Sequence, residues 1–206
     1  MQTHFCEARM DQLARARAFV ALDARPITVQ RLTGLLSPDL HQWFYRSAED
    51  TQRGRAPRSA QWYSHANLLQ QFDANVFCSL FHRLYQRGFP ADEALLSGYL
   101  AYMELGLPHP RVHFDRAFDL ASHIVGRWLT QHSHLSLVTC RHCGSDVLTE
   151  HGLRVPLHCP CCRLIKRYTS DPRLRAHVPD PAARRGPPPL LGISRLSASA
   201  RPQQPT

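Results

Sequence analysis

Lysine is almost missing from this chain: of 25 cationic side chains every one but Lys166 is arginine. An arginine-rich surface keeps its charge at any physiological pH and presents planar forks suited to phosphate and guanine, although a GC-rich genome would leave the same bias. Long apolar runs are missing too. No window approaches 18 consecutive apolar residues, which excludes a helical membrane span. The opening stretch MQTHFCEARMDQLARARAFVALDAR is charged throughout and has no apolar core of the kind a secretory signal needs. The expectation is a cytoplasmic protein with no membrane partner. Nucleotide and hydrolase signatures (GxGxxG, P-loop, HExxH, GxSxG) are absent as well. His82, His113 and His123 read as ordinary helix-borne histidines, and Asp115 and Asp119 lie four apart with no metal or nucleophile beside them. No catalytic residue is assigned, and an enzyme is not expected.

What is present is enough for a core. Of the 206 residues 43% are hydrophobic, with nine Phe, six Tyr and three Trp, so wholesale disorder is not expected. The length suits one medium domain or one domain with a small appended module. A net charge of +9 favours a polyanionic partner, most commonly nucleic acid. Seven cysteines are an odd number, and five fall within Cys140–Cys162. That clustering argues for reduced thiols and against a disulfide framework.

Helical periodicity runs through the first 130 residues. Met10, Leu13, Ala16 and Val20 mark a first amphipathic helix. Pro26 interrupts before a short segment from Thr28 to Gly34. Ser37-Pro38-Asp39 looks like an N-cap followed by proline, opening a helix through Tyr45 and Arg46. Residues 47–60 read as a basic loop, and a long apolar helix is expected from Trp62 to Arg87. Further helices are expected at Asp92–Leu105 and Phe114–Leu129. From Leu137 short β-prone runs and paired cysteines take over. Beyond about Leu174 the Pro, Arg, Ser and Ala content predicts a disordered tail. The expected fold is mainly α: a bundle-like region over 1–134, a four-cysteine zinc-ribbon-like module over 135–177, and the tail over 178–206.

The sharpest motif is Cys140-x2-Cys143 with Cys159-x2-Cys162, the pairs 15 residues apart. Each pair can form a tight knuckle aiming two sulfurs at one point, with a hairpin between them bringing the knuckles face to face. Gly144, directly after Cys143, tolerates the positive φ such a turn uses. Four thiolates would close a tetrahedral shell around one structural Zn²⁺ and leave no position for water. Cys161 offers a competing Cys159-x-Cys161 pair, and His142 or His158 could replace a thiolate. An iron–sulfur cluster is a further alternative. Cys78, among Phe77, Leu80 and Phe81, reads as a packed core thiol, and Cys6 as an exposed one.

Three stretches are candidates for contacting double-stranded DNA. The run from Val29 to Tyr45 has the outline of a helix-turn-helix whose second helix presents His41, Gln42 and Arg46. Its Asp39 does not suit a phosphate contact, and any bundle corner looks similar. Arg53, Arg55 and Arg58 form a basic loop, whose other reading is a solvated surface. Arg163, Lys166 and Arg167 follow the last knuckle directly, with Arg173 and Arg175 beyond. A rigid metal knuckle followed by cations would fix a basic patch against a phosphate backbone.

The stretches LLSPDLHQWFYR, WYSHANLLQQFDANVFCSLFHRL, GYLAYMEL and FDRAFDLASHIVGRWL, then CRHCGSD and CPCC, occur in that order. Together they resemble the FlhC family, one subunit of the bacterial flagellar master regulator, over roughly residues 7–175. The resemblance implies a mostly helical subunit whose zinc ligands are Cys140, Cys143, Cys159 and Cys162. It also implies assembly with an FlhD-like protein into a hetero-oligomer that binds promoter DNA and activates flagellar genes through RNA polymerase. Against the family pattern this chain adds Cys161, the arginine-rich loop at 53–58 and the Pro/Arg-rich tail. The alternative expectation is a zinc-ribbon adaptor that binds only protein.

Overall fold

A computed structural model describes residues 2–46, 61–105, 111–153 and 157–177. The basic loop expected at 47–60 and the tail expected at 178–206 lie outside the described residues. Within them the chain is mainly helical, with one two-stranded antiparallel sheet.

Helix α1 spans Gln2–Val20, α2 Pro26–Thr33 and α3 Ser37–Trp43. Pro26 does not precede α2 but opens it, with Arg25 at the N-cap. The first helical position has no intrahelical N–H bond to lose, so proline costs nothing there. Gly34 then ends α2 at φ 72, a left-handed conformation that needs no Cβ, and three residues separate α2 from α3. Ser37 is not the cap of α3: Leu36 holds that position without a side-chain hydrogen bond. Ala16 and Phe19 of α1, Val29 of α2 and Leu40 of α3 are fully buried. Met10, expected on the apolar side of α1, is 67% exposed.

The single helix expected over Trp62–Arg87 is two helices, α4 Gln61–His65 and α5 Leu68–Gln86. Asn67 causes the break. Its side-chain oxygen accepts from Gln70 N at 2.9 Å, the reach of an N-cap, and this satisfies one of the orphan amides of a new helix. Helix α5 is the centre of the molecule, packing against α4, α6 (Ala91–Glu104), α7 (Phe114–Val125) and the sheet. Gly98 lets α6 approach closely, since a Cβ there would meet Phe81 Cα at 3.0 Å. Helix α7 stops at Val125 and not at Leu129, because Gly126 turns left-handed at φ 66.

Strand β1 (Leu135–Thr139) pairs with β2 (Asp146–Glu150), Leu137 opposite Leu148. Leu135 and Leu148 belong to the same buried cluster as Phe77, Phe81 and Phe118, so one core runs from the helices into the hairpin. Two helices follow, α8 Pro160–Tyr168 and α9 Pro172–His177, neither foreseen from composition. Leu164 and Leu174 hold them against Leu68 of α5 in a second apolar cluster.

Three buried carboxylates tie the helices together. Asp115 accepts from Thr28 Oγ1 at 2.6 Å and from Arg25, joining the starts of α2 and α7. Asp73 accepts from Tyr102 Oη and Arg111 N. Asp119 accepts from Trp62 Nε1 at 3.1 Å, and burial raises its carboxyl to about 6 against the opposing effects of that bond and of Arg116. His123 Nε2 lies 3.6 Å from Asp119, and burial together with His134 lowers its pKa.

The signs of these two shifts are opposite in consequence. An aspartate with a raised native pKa holds its proton more tightly when folded. Its contribution is therefore fully present below the unfolded value near 3.8 and is lost as pH rises to about 6. The lowered His123 acts the other way, costing stability as pH falls below the ordinary histidine range. In urea titrations the stability of Asp119→Asn relative to the native chain should rise between about pH 4 and 6 and level off above, from the shift on Asp119. A difference that stays constant across that window would contradict the buried, proton-holding carboxyl.

Candidate metal centre

The first knuckle sits in the turn of the hairpin. Cys140 follows β1, Gly144 N donates to Cys140 O at 2.9 Å, and Cys140 N donates to Ser145 O at 2.9 Å before β2 begins. Gly144 adopts φ 71, as the knuckle turn requires. Backbone amides of Cys143 and His142 lower the Cys140 thiol, and the hydroxyl and amide of Ser145 lower Cys143 to about 6. Both effects favour the thiolate form, which is the one that binds metal.

The second knuckle is the start of a helix. Cys159 is the N-cap of α8, Pro160 takes the first turn, and Cys162 N donates to Cys159 Sγ at 3.2 Å. The amide hydrogen bond favours the Cys159 thiolate, but burial outweighs it and the thiol is raised, unlike those of Cys140 and Cys143. One hairpin therefore straddles the first pair, and the partner of its knuckle is a helix end. The expected picture of two knuckles joined by a hairpin between them is corrected on this point.

The four sulfurs of Cys140, Cys143, Cys159 and Cys162 all lie within 4.8 Å of one another. Cys140 Sγ is 3.9 Å from Cys162 Sγ, and Cys143 Sγ is 3.4 Å from Cys159 Sγ. A tetrahedron with metal–sulfur bonds of about 2.3 Å has edges of about 3.8 Å. The two separations bracket that edge and are far beyond a disulfide bond of about 2.05 Å. The four cysteines are therefore close enough to hold a metal ion. Cys161 packs beside the group without joining it, and the rings of His142 and His158 stack on each other 5.8 Å apart.

The centre is anchored to α5 by polar contacts that the sequence did not announce. Asn75, buried in α5, accepts from Leu148 N of β2 and from Tyr63 Oη, both at 2.9 Å. Asp146, at the start of β2, accepts from Ser79 Oγ and Arg83 of α5. Their only trace in the sequence is a set of polar residues inside the apolar stretch from Leu68 to Leu84. Cys78 is fully buried, and burial pushes its thiol up, as befits a core residue; Cys6 is exposed.

The candidate DNA contacts fall in separate places. His41, Gln42 and Arg46 are exposed, on α3 or just past it, and Arg46 Nε donates back to Gln42 O. Asp39 is engaged by Arg9 of α1 at 2.6 Å, and Arg9 also lies over the Trp43 ring. The acidic residue that counted against α3 is thus paired with a cation from another helix. Arg163, Lys166 and Arg167 are exposed on α8 while Leu164 turns inward. Arg163 reaches Gln71, and Arg167 pairs with Asp171 at 3.2 Å. Arg53, Arg55 and Arg58 lie outside the described residues.

A scan against protein-family models finds no match, and a search of curated proteins finds no relative of this chain.

Cobalt substitution separates the thiols. The native chain and Cys161→Ser should both give the absorption of a tetrahedral four-thiolate site, and Cys162→Ser should give one carrying an oxygen or nitrogen ligand. The reverse pattern would make Cys161 the fourth ligand.

Proposed function

We propose that this chain is a zinc-holding subunit of a transcriptional activator, which grips promoter DNA together with an FlhD-like partner and switches on flagellar genes through RNA polymerase. The observation that carries the reading is α8. Its first turn supplies two of the four converging sulfurs, and the same short helix presents Arg163, Lys166 and Arg167 outward. Four soft, tetrahedrally disposed thiolates suit zinc. A closed site of this kind contributes folding free energy and offers no position for substrate, which agrees with a binding protein and not an enzyme. Zinc with four thiolates carries a net charge of −2, and the nearby arginines and lysine offset it and leave the face basic. The resemblance to FlhC over residues 7–175 supplies the partner and the regulated process. The exposed helix α3, with His41, Gln42 and Arg46, is the second surface available to DNA.

A protein-binding adaptor is the alternative, and one observation favours it. Leu153, Leu157 and Ile165 stand 62%, 80% and 62% exposed near the metal centre, an unusual concentration of solvent-facing aliphatics. An apolar interface would bind with little dependence on salt.

Gel-shift titration of the zinc-loaded chain decides between them, using a flagellar promoter fragment and a scrambled duplex, with and without FlhD, at two salt concentrations. Promoter-selective, FlhD-dependent binding that weakens with salt is expected. Replacing Arg163, Lys166 and Arg167 together by Ala should weaken binding to all sequences and reduce the log–log salt slope by about 2 to 3 per copy. Equal or absent binding to both duplexes with FlhD present would transfer the assignment to the adaptor.

A further inference from the structure

Helix α6 is apolar on two faces. Ala94, Leu95, Gly98, Tyr99 and Tyr102 are buried where the helix packs against α5 and α7. On the outward side Leu96, Leu100 and Met103 recur at spacings of four and three, which keeps them in one row. Leu100 and Met103 stand 43% and 42% exposed, and Leu96 is half-buried. A helix that is apolar all round is normally covered on every side. The row is also held rigidly in place: Gly98 seats α6 on Phe81, and Tyr102 Oη donates to the buried Asp73 at 3.0 Å. The charge of this face is opposite to that of the molecule. The chain carries +9, yet α6 contains no lysine or arginine. Of its acidic residues, Asp92 is engaged by Arg15 of α1 at 2.5 Å, while Glu93 and Glu104 are exposed at the two ends of the apolar row. These two lie about three turns apart, about 16 Å along the axis.

We propose that the outward face of α6 docks an amphipathic, basic helix of the protein partner, one with its own apolar row and a cation at each end about three turns apart. The proposal rests on the hetero-oligomer reading above and adds to it the face that the partner occupies. The sign of the charge selects the occupant. Phosphates would meet Glu93 and Glu104 and no cation of α6, so nucleic acid is repelled from this face and left to α3 and α8. A second copy of this chain fits no better. Packed antiparallel, two α6 helices set Glu93 against Glu104; packed parallel, they set each glutamate against itself. Like charges meet in both arrangements, beside an interface that excludes water. A basic helix reverses the sign of that contact at both ends and buries Leu96, Leu100 and Met103 between them. Exposed leucine and methionine on a preformed helix are the composition that such partners use, and the rigid seating of α6 leaves little to order on binding. The protein thus divides its surface by charge, with cations toward DNA and the acidic, apolar α6 toward protein.

The test uses the full-length, zinc-loaded chain with FlhD as the probe. Association is followed by sedimentation and by stopped-flow mixing at two salt concentrations. Leu100→Glu and Met103→Glu should each weaken association by about tenfold or more, and Leu100→Met should keep it near native. Glu93→Arg combined with Glu104→Arg should slow association and abolish the fall in rate that salt causes in the native chain. Every substituted side chain faces solvent, so circular dichroism and zinc content should stay native throughout. Met10→Glu, at an exposed apolar side chain of α1, is the surface control and should leave association unchanged. Native-strength association in Leu100→Glu and Met103→Glu, equal weakening by Met10→Glu, or a charge reversal without effect would each overturn the inference alone. So would a native chain that dimerises without FlhD and loses the dimer in Leu100→Glu, which would give the face to a second copy. A native chain that does not associate with FlhD at all would overturn the hetero-oligomer reading and the inference with it.

Discussion

Four cysteine sulfurs meeting at one point fix the relation between the hairpin and α8, and the placing of the cations of α8 depends on that relation. Among the described residues between Thr139 and Arg163 few aliphatic side chains are buried: Val147 and Leu148 of β2 are, while Leu153 and Leu157 face solvent. A segment so poor in apolar burial cannot hold a fixed position by the hydrophobic effect alone. Convergence of Cys140 and Cys143 from the turn with Cys159 and Cys162 from the helix supplies the missing constraint. A structural metal ion held by four thiolates would contribute on the order of 10 kcal/mol or more, added to the apolar packing of Leu164 and Leu174 against Leu68.

The constraint is transmitted to the bundle through α5. Asn75 and Ser79 lie one helical turn apart and hold β2 at two points, Leu148 N and Asp146. On its other sides α5 packs through Phe77 and Phe81 against α6, with Gly98 allowing the close approach. The four-cysteine cluster is therefore seated on α5, the helix that packs against α4, α6, α7, α8 and both strands. Any partner or nucleic acid engaging α8 would meet a surface backed by the four-cysteine cluster on one side and by the core on the other. Under the proposed function, that backing is what turns a handful of arginines into a positioned basic face.

Much of this was readable from the residues because it depends on local rules. Helical periodicity located the apolar stretches, Gly34 ended its helix for want of a Cβ, and the C-x2-C spacing picked out the four converging thiols, whereas Gly126 ended α7 four residues short of the expected Leu129. What escaped was set by tertiary context or by a competing local rule. Asn67 reads as one more polar residue in a helical stretch, yet its capping bond splits the expected helix into α4 and α5. Helices α8 and α9 lie in a run of cations with few apolar residues. They become helical because Cys159 and Pro160 start α8 correctly and because Leu164 and Leu174 find Leu68 on a distant helix. The Arg9–Asp39 and Ser79–Asp146 contacts join residues 30 and 67 positions apart, and nothing in the local sequence marks either pairing.

The most direct test of this account is amide hydrogen exchange, read by mass spectrometry on the zinc-loaded chain and on the same chain after chelation. The account predicts that removing the metal strips protection from α8 and from the Cys140–Asp146 turn, while α5, α6 and α7 keep theirs. Unchanged protection in α8 would contradict it, because α8 would then be held by its apolar contacts alone. Loss of protection throughout α5 to α7 would contradict it as well, because the helical core would then depend on the metal for its own fold.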